Sequence, residues 1–296
     1  MSSRSAATPP LHHTLILGAA KSGTTALFYA IQKSMEQASG SPVKGLFEPR
    51  DMDAFKSYFE TTQDPARLCK ALLGPVTRRM TDALDEFDRK IIIFRDPRDN
   101  VVSRLLFNPP RLLDKSGPEK NQAFLDLIKQ KEEAPDSISV LGILREVGKL
   151  TDRSDLPDIY RKNAIIPAVV KRKWDDAFFM FSYEDLLTQS FGALGDYLGL
   201  DMTSEFEVAD KHEYVSRSKG SGEWKAWFHE EDVAYFANEV ADDYRLLGFD
   251  PAETPDAAPS IDPATASEYV VKQIKRHEEK RAMKRRKRME QQEAAS

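Results

Sequence analysis

Cysteine is nearly absent from this chain: Cys69 is the only one in 296 residues. A single thiol excludes an intramolecular disulfide and a cysteine-rich zinc site. A chain of this length buries a core without such staples. Long apolar runs are also missing, and none approaches the ~20 residues a membrane-spanning helix needs. The opening MSSRSAATPPLHH lacks the charged-then-apolar order of a secretory signal. Together these absences predict a reducing, cytoplasmic compartment. Histidine is scarce as well: there are five, and none lies between 14 and 211.

Charge is present but uneven. The net charge is −5, made of +5 in residues 266–296 and −10 in 1–265. An acidic body with a basic tail argues against a domain that grips nucleic acid over its whole surface. Any preference for polyanions belongs to the tail.

The apolar pattern predicts organisation. Residues 1–13 read as a disordered leader, 14–250 as one folded domain, 251–265 (four prolines) as a linker, and 266–296 as a basic helical tail. Within the domain, Thr14–Gly18, Val43–Phe47, Lys90–Phe94 and Phe178–Tyr183 read as short buried strands. Helical spacing covers Thr24–Met35, Arg98–Leu106, Glu184–Leu198 and Val233–Leu247, with several short helices between 109 and 173. Strands alternating with helices predict an α/β domain with a largely parallel sheet. The three tryptophans, Trp174, Trp224 and Trp227, read as core or cleft-wall groups.

The first strand runs into Gly18-Ala19-Ala20-Lys21-Ser22-Gly23-Thr24-Thr25, which opens a helix. Glycines allow a tight turn that aims amides at an anion, and the helix start adds partial positive charge. The glycine spacing fits a nucleotide P-loop, but Thr24 stands where that loop carries its lysine. The lysine lies three places earlier, at Lys21. That suits a 5'-linked anion better than the β- and γ-phosphates of a triphosphate, with Ser22, Thr24 and Thr25 as hydroxyl donors.

Two further patterns carry cations. Arg95 follows the strand Lys90–Phe94, and Ser103 lies in the next helix; an arginine and a hydroxyl so placed can hold a phosphate. Alone, the same residues fit a structural Arg95–Asp99 pair and a surface serine. Later, Arg217-Ser218-Lys219-Gly220-Ser221-Gly222-Glu223-Trp224-Lys225 could wrap an anion or be a solvated loop.

Taken together, the chain resembles the sulfotransferases that use 3'-phosphoadenosine 5'-phosphosulfate (PAPS). Lys21-Ser22-Gly23-Thr24-Thr25 is similar to that family's loop for the 5'-phosphosulfate. Arg95-Asp96-Pro97-Arg98-Asp99 with Ser103 resembles its 3'-phosphate segment, Tyr183-Glu184-Asp185-Leu186 its strand-end motif, and Lys219-Gly220 through Lys225 its late loop over the same phosphate. The resemblance implies a P-loop NTPase-like three-layer α/β/α sandwich with a central parallel sheet. It implies PAPS as sulfate donor, bound by Lys21, Ser22, Gly23, Thr24, Thr25, Arg95, Ser103, Tyr183, Arg217, Lys219 and Gly220. The acceptor would be a hydroxyl or amine on a small molecule or glycan, and no metal is expected. A P-loop kinase, or a non-catalytic nucleotide-binding scaffold acting through the tail, is the alternative.

Members that use a histidine base carry it in a segment whose local counterpart is Lys70-Ala71-Leu72-Leu73, where leucine replaces it. Others use a glutamate after the first helix, and Lys44-Gly45-Leu46-Phe47-Glu48-Pro49-Arg50 fits that place. The expected catalytic set is therefore Glu48 as base, Lys21 at the leaving oxygen and Lys70 as a second cation, with His212 in reserve. The tail, with ten basic residues between Lys272 and Arg288, reads as a solvated extension or as a contact for an anionic membrane, a nucleic acid or a partner helix.

Overall fold

The structure, a computed structural model, describes residues 12–49, 52–61, 67–74, 81–113, 117–209, 212, 217–218 and 220–293. Residues 1–11 of the expected leader 1–13, Arg50 and Lys219 lie outside them. Five strands form one sheet: β1 Thr14–Gly18, β2 Gly45–Phe47, β3 Leu68–Leu72, β4 Arg89–Phe94 and β5 Phe179–Ser182. Their order is β2-β3-β1-β4-β5, and every pairing is parallel. The helices, in chain order, are α1 Thr24–Ser39, α2 Met52–Thr61, α3 Pro97–Phe107, α4 Pro109–Leu113, α5 Pro118–Glu133, α6 Val140–Thr151, α7 Leu156–Ala164 and α8 Ile166–Trp174. They continue with α9 Tyr183–Leu187, α10 Gly192–Leu198, α11 Trp224–Trp227, α12 Glu230–Phe236, α13 Ala241–Leu246 and α14 Ser267–Glu293. Among the described residues, no helix is long and apolar enough to cross a membrane.

Two compact units divide the chain. The first comprises 1–96, 163–215 and 246–249 and holds the whole sheet. Side chains alternate across a strand, so each face has its own core. Ile16, Leu68, Ile91, Ile93 and Phe181 pack with Leu27, Phe28 and Ile31 of α1 and with Leu194 and Leu198 of α10. On the opposite face Leu15, Leu17, Cys69, Ala71 and Ile92 pack with Phe55 of α2 and Val170 of α8. The result is an α/β/α sandwich around a parallel sheet, the class expected from strand–helix alternation.

The sheet differs from the sequence expectation in one strand. β3 lies next to β1, yet Lys70 interrupts its apolar run and hides the strand from a hydropathy reading. Two expected helices are also broken. Glu184–Leu198 divides into α9 and α10, with Gln189 between them at φ 57°. Val233–Leu247 divides into α12, a short 3-10 turn at Asn238–Val240, and α13.

The second unit comprises 97–162, 216–245 and 250–296 and is helical. Asp232 is fully buried, and its carboxylate accepts from the backbone N–H groups of Val140, Leu141 and His229. One side chain thus caps both α6 and α12. The proline-rich stretch expected as a linker is anchored within this unit. Ile261 is buried, the Asp256 N–H donates to the Lys225 carbonyl, and Glu253 pairs with Arg98. α14 follows with Tyr269, Val270 and Gln273 buried at its start.

Candidate functional site

The strand order decides which loops meet. From β1 the chain moves outward to β2 and returns through β3; it then passes to β4 and β5 on the other side. The C-terminal end of β1 is therefore a topological switch point, where open α/β sheets bind ligands. The loop Gly18–Gly23 sits there. Its closure is local: the Ser22 hydroxyl and N–H both donate to the Ala19 carbonyl, at 2.7 and 3.2 Å. The Ser22 hydroxyl is thus turned into the loop, and its side chain is buried. Lys21 and Gly23 adopt left-handed conformations, φ 70° and 89°. A Cβ at Gly23 would also lie 2.7 Å from the Tyr183 ring. No side chain caps α1, which leaves the positive end of a 16-residue helix facing the loop.

β2 and β3 bring a charged group to the same edge. Lys70 is buried, and its ammonium donates to Thr25 Oγ1 at 3.0 Å and to Glu48 Oε1 at 2.5 Å. Burial holds the Lys70 pKa below its ordinary value, and the Glu48 carboxylate partly opposes that shift. Glu48 has φ 49°, a strained conformation outside glycine, and its N–H donates to the Lys70 carbonyl at 2.8 Å. The Lys70 ammonium also lies 4.0 Å from the centre of the Phe47 ring. His212 stacks on Phe47 at 4.1 Å, and its Nδ1 is 2.8 Å from the Tyr29 hydroxyl. The pattern of single motifs had not joined Tyr29 and Phe47 to this site. The available signal was that Tyr29 follows Thr25 by one helical turn, on the same face of α1.

β4 and β5 supply the other flank. Arg95 is buried, with its guanidinium 4.5 Å from the centre of the Tyr183 ring. Tyr183 therefore stands between the Gly18–Gly23 loop and the Arg95 guanidinium. It is held there because Ser182 caps α9: its hydroxyl accepts from the Asp185 N–H at 2.9 Å. Read along the sheet from β2 to β5, Glu48 follows β2, Lys70 lies within β3, the Lys21–Thr25 loop follows β1, Arg95 follows β4 and Tyr183 follows β5.

Ser103, Arg217 and Gly220 belong to the second unit. Ser103 is buried in α3. Arg217 pairs with Glu223 and donates to the Thr265 carbonyl at 3.1 Å. Gly220 is half-buried. Two neighbours of the expected phosphate residues have structural roles that the sequence reading missed. Asp99 accepts from the N–H groups of Gly222 and Trp224, at 2.7 and 2.9 Å. Arg98 is fully buried over the Trp224 ring, 3.7 Å from its centre. Trp224 and Trp227 are themselves core residues.

The chain matches no protein-family model and no curated protein.

Proposed function

We propose that the protein is a sulfotransferase that moves the sulfuryl group of PAPS to a hydroxyl or amine acceptor. The observation that carries this reading is the line Thr25–Lys70–Glu48 beside the phosphate loop. One buried ammonium touches both the first turn of α1, where an anion would sit, and a carboxylate able to take a proton. Lys21 adds a second cation at the loop, and Arg95 a third at the end of β4.

The chemistry asks little covalent work of the protein. The acceptor oxygen or nitrogen forms a bond to sulfur while the bond from sulfur to the phosphate oxygen breaks. The acceptor proton passes to the Glu48 carboxylate, and the electron pair of the broken bond stays on 3'-phosphoadenosine 5'-phosphate. In-line positioning and charge stabilisation at the leaving oxygen, by Lys21 and Lys70, would supply most of the acceleration, by analogy with phosphoryl transfer. A sulfuryl group carries less negative charge than a phosphoryl group, so these cations can serve without a metal. For Ser103, Arg217, Lys219 and Gly220 the reading rests on the sequence resemblance.

The test is calorimetric titration with 3'-phosphoadenosine 5'-phosphate, with 5'-AMP and magnesium-ATP as controls. We expect metal-independent binding that needs the 3'-phosphate and is lost in Arg95→Ala. No binding, or a preference for magnesium-ATP, would overturn the assignment in favour of a kinase or a scaffold.

A further inference from the structure

We propose that the C-terminal half of α14 is a docking surface for the phosphate backbone of a DNA duplex. This is independent of the sulfotransfer reading. The helix has two distinct parts. Its start is anchored by Tyr269, Val270 and Gln273, which are buried in the second unit. From Glu278 to Gln292 every residue is exposed except the half-buried Arg281. That segment is about 22 Å long at 1.5 Å per residue.

Between Lys280 and Arg288 its charge is of one sign, with Glu278 and Glu279 before that stretch and Glu290 after it. Lys280, Arg281 and the unbroken run Lys284-Arg285-Arg286-Lys287-Arg288 supply seven cations. Among the described residues, none of the five in the run makes an ion pair. Burial first, and the charges of Arg276 and Lys284 second, hold the Lys280 pKa below its ordinary value. A polyanion would relieve that repulsion.

Geometry selects the kind of polyanion. Successive helix residues turn by about 100°, so five consecutive cations surround the axis. A flat lipid surface uses charge on one side of a helix and apolar side chains beside it. Here the two large exposed apolar residues, Met283 and Met289, are six positions apart and point in different directions around the axis. They form no apolar face. A helix lying in the major groove has phosphates on both flanks, and the groove admits a helix of this width. Cations on all sides suit that setting. The acidic body, −10 over 1–265, would confine the contact to the tail. Lysine and arginine contacts to phosphate position a protein without reading sequence, so binding should be indifferent to sequence.

The experiment is fluorescence anisotropy of the full-length protein with a labelled mixed-sequence DNA duplex of about two helical turns. With about five phosphates neutralised, affinity should fall about 500-fold between about 50 and 200 mM salt. Replacing the five residues 284–288 by glutamine keeps helix propensity and should abolish binding, with helicity checked by circular dichroism. Exchanging each lysine for arginine and each arginine for lysine in that run should restore it. Four results would overturn the proposal: no duplex binding at low salt, undiminished binding by the glutamine variant, equal affinity for the single strand, or tighter binding to phosphatidylserine vesicles than to the duplex.

Discussion

At the scale of single residues, the candidate site turns on conformations few side chains adopt. Glu48 at φ 49° and Lys21 at φ 70° are both left-handed without being glycine. Such positions cost about 1–3 kcal/mol each and are kept where the surrounding structure holds them. At Glu48 that support is the paired Lys70. If Glu48 takes the acceptor proton, Glu48→Gln keeps the shape and loses the base. Turnover should fall about 100-fold or more, while affinity for 3'-phosphoadenosine 5'-phosphate stays unchanged. Near-normal turnover would remove Glu48 from the reaction. The identities Glu48, Lys70 and Thr25 were readable one by one. Their contact was not, because 22 and 45 residues of chain separate Lys70 from its two partners.

At the scale of elements, helix ends are the sensitive points. The buried Asp232 carboxylate closes α6 and α12 together, and burial raises its pKa against the hydrogen bonds that lower it. Beside this junction the Lys131 ammonium donates to the Pro135 carbonyl at 2.5 Å and lies 2.9 Å from His229 Nε2. Burial pushes the Lys131 pKa down from 10.5 to about 8. An unfolded lysine keeps its proton to about 10.5, and the folded one releases it near 8. Between these values the unfolded state binds more protons, so this group makes stability rise with pH. Urea denaturation between pH 8 and 10.5 should show that rise, and Lys131→Met should remove it. A slope unchanged in Lys131→Met would assign it to other groups. None of this was visible in the sequence, where Lys131 is one charge among many in a polar helix.

At the scale of the whole molecule, packing and charge are divided along α14. Its buried residues end near Gln273, whereas its cations are concentrated beyond Glu279. Removing 282–296 should leave the melting temperature nearly unchanged, because residues 282–292 are all exposed. Removing 266–296 also takes away Ala266, Tyr269 and Val270, all buried. Loss of two large buried side chains of this kind costs about 1.5–3 kcal/mol each. Scanning calorimetry of the two truncations checks the difference. Equal melting temperatures would contradict the division. At the same scale, the stretch 251–265, expected as a linker from its prolines, is tied to the helical unit by Ile261 and the Arg98–Glu253 pair.

Periodicity and local composition by themselves determined much of this protein. The α/β class, the turn at Gly18–Gly23 and the strands β1, β4 and β5 follow from short-range pattern. So does the basic helix. These features depend on neighbours in sequence, which hydropathy reports directly. Only the tertiary structure decided that Lys70 lies in a strand, that its ammonium joins Thr25 to Glu48, and that Tyr183 stands between Gly23 and Arg95. The reason is the parallel sheet. Its crossovers carry remote segments to one edge, and the register of β1 with β3 and β4 sets which ends align. Hydropathy carries no record of that register, so the site emerges only when the strands pair.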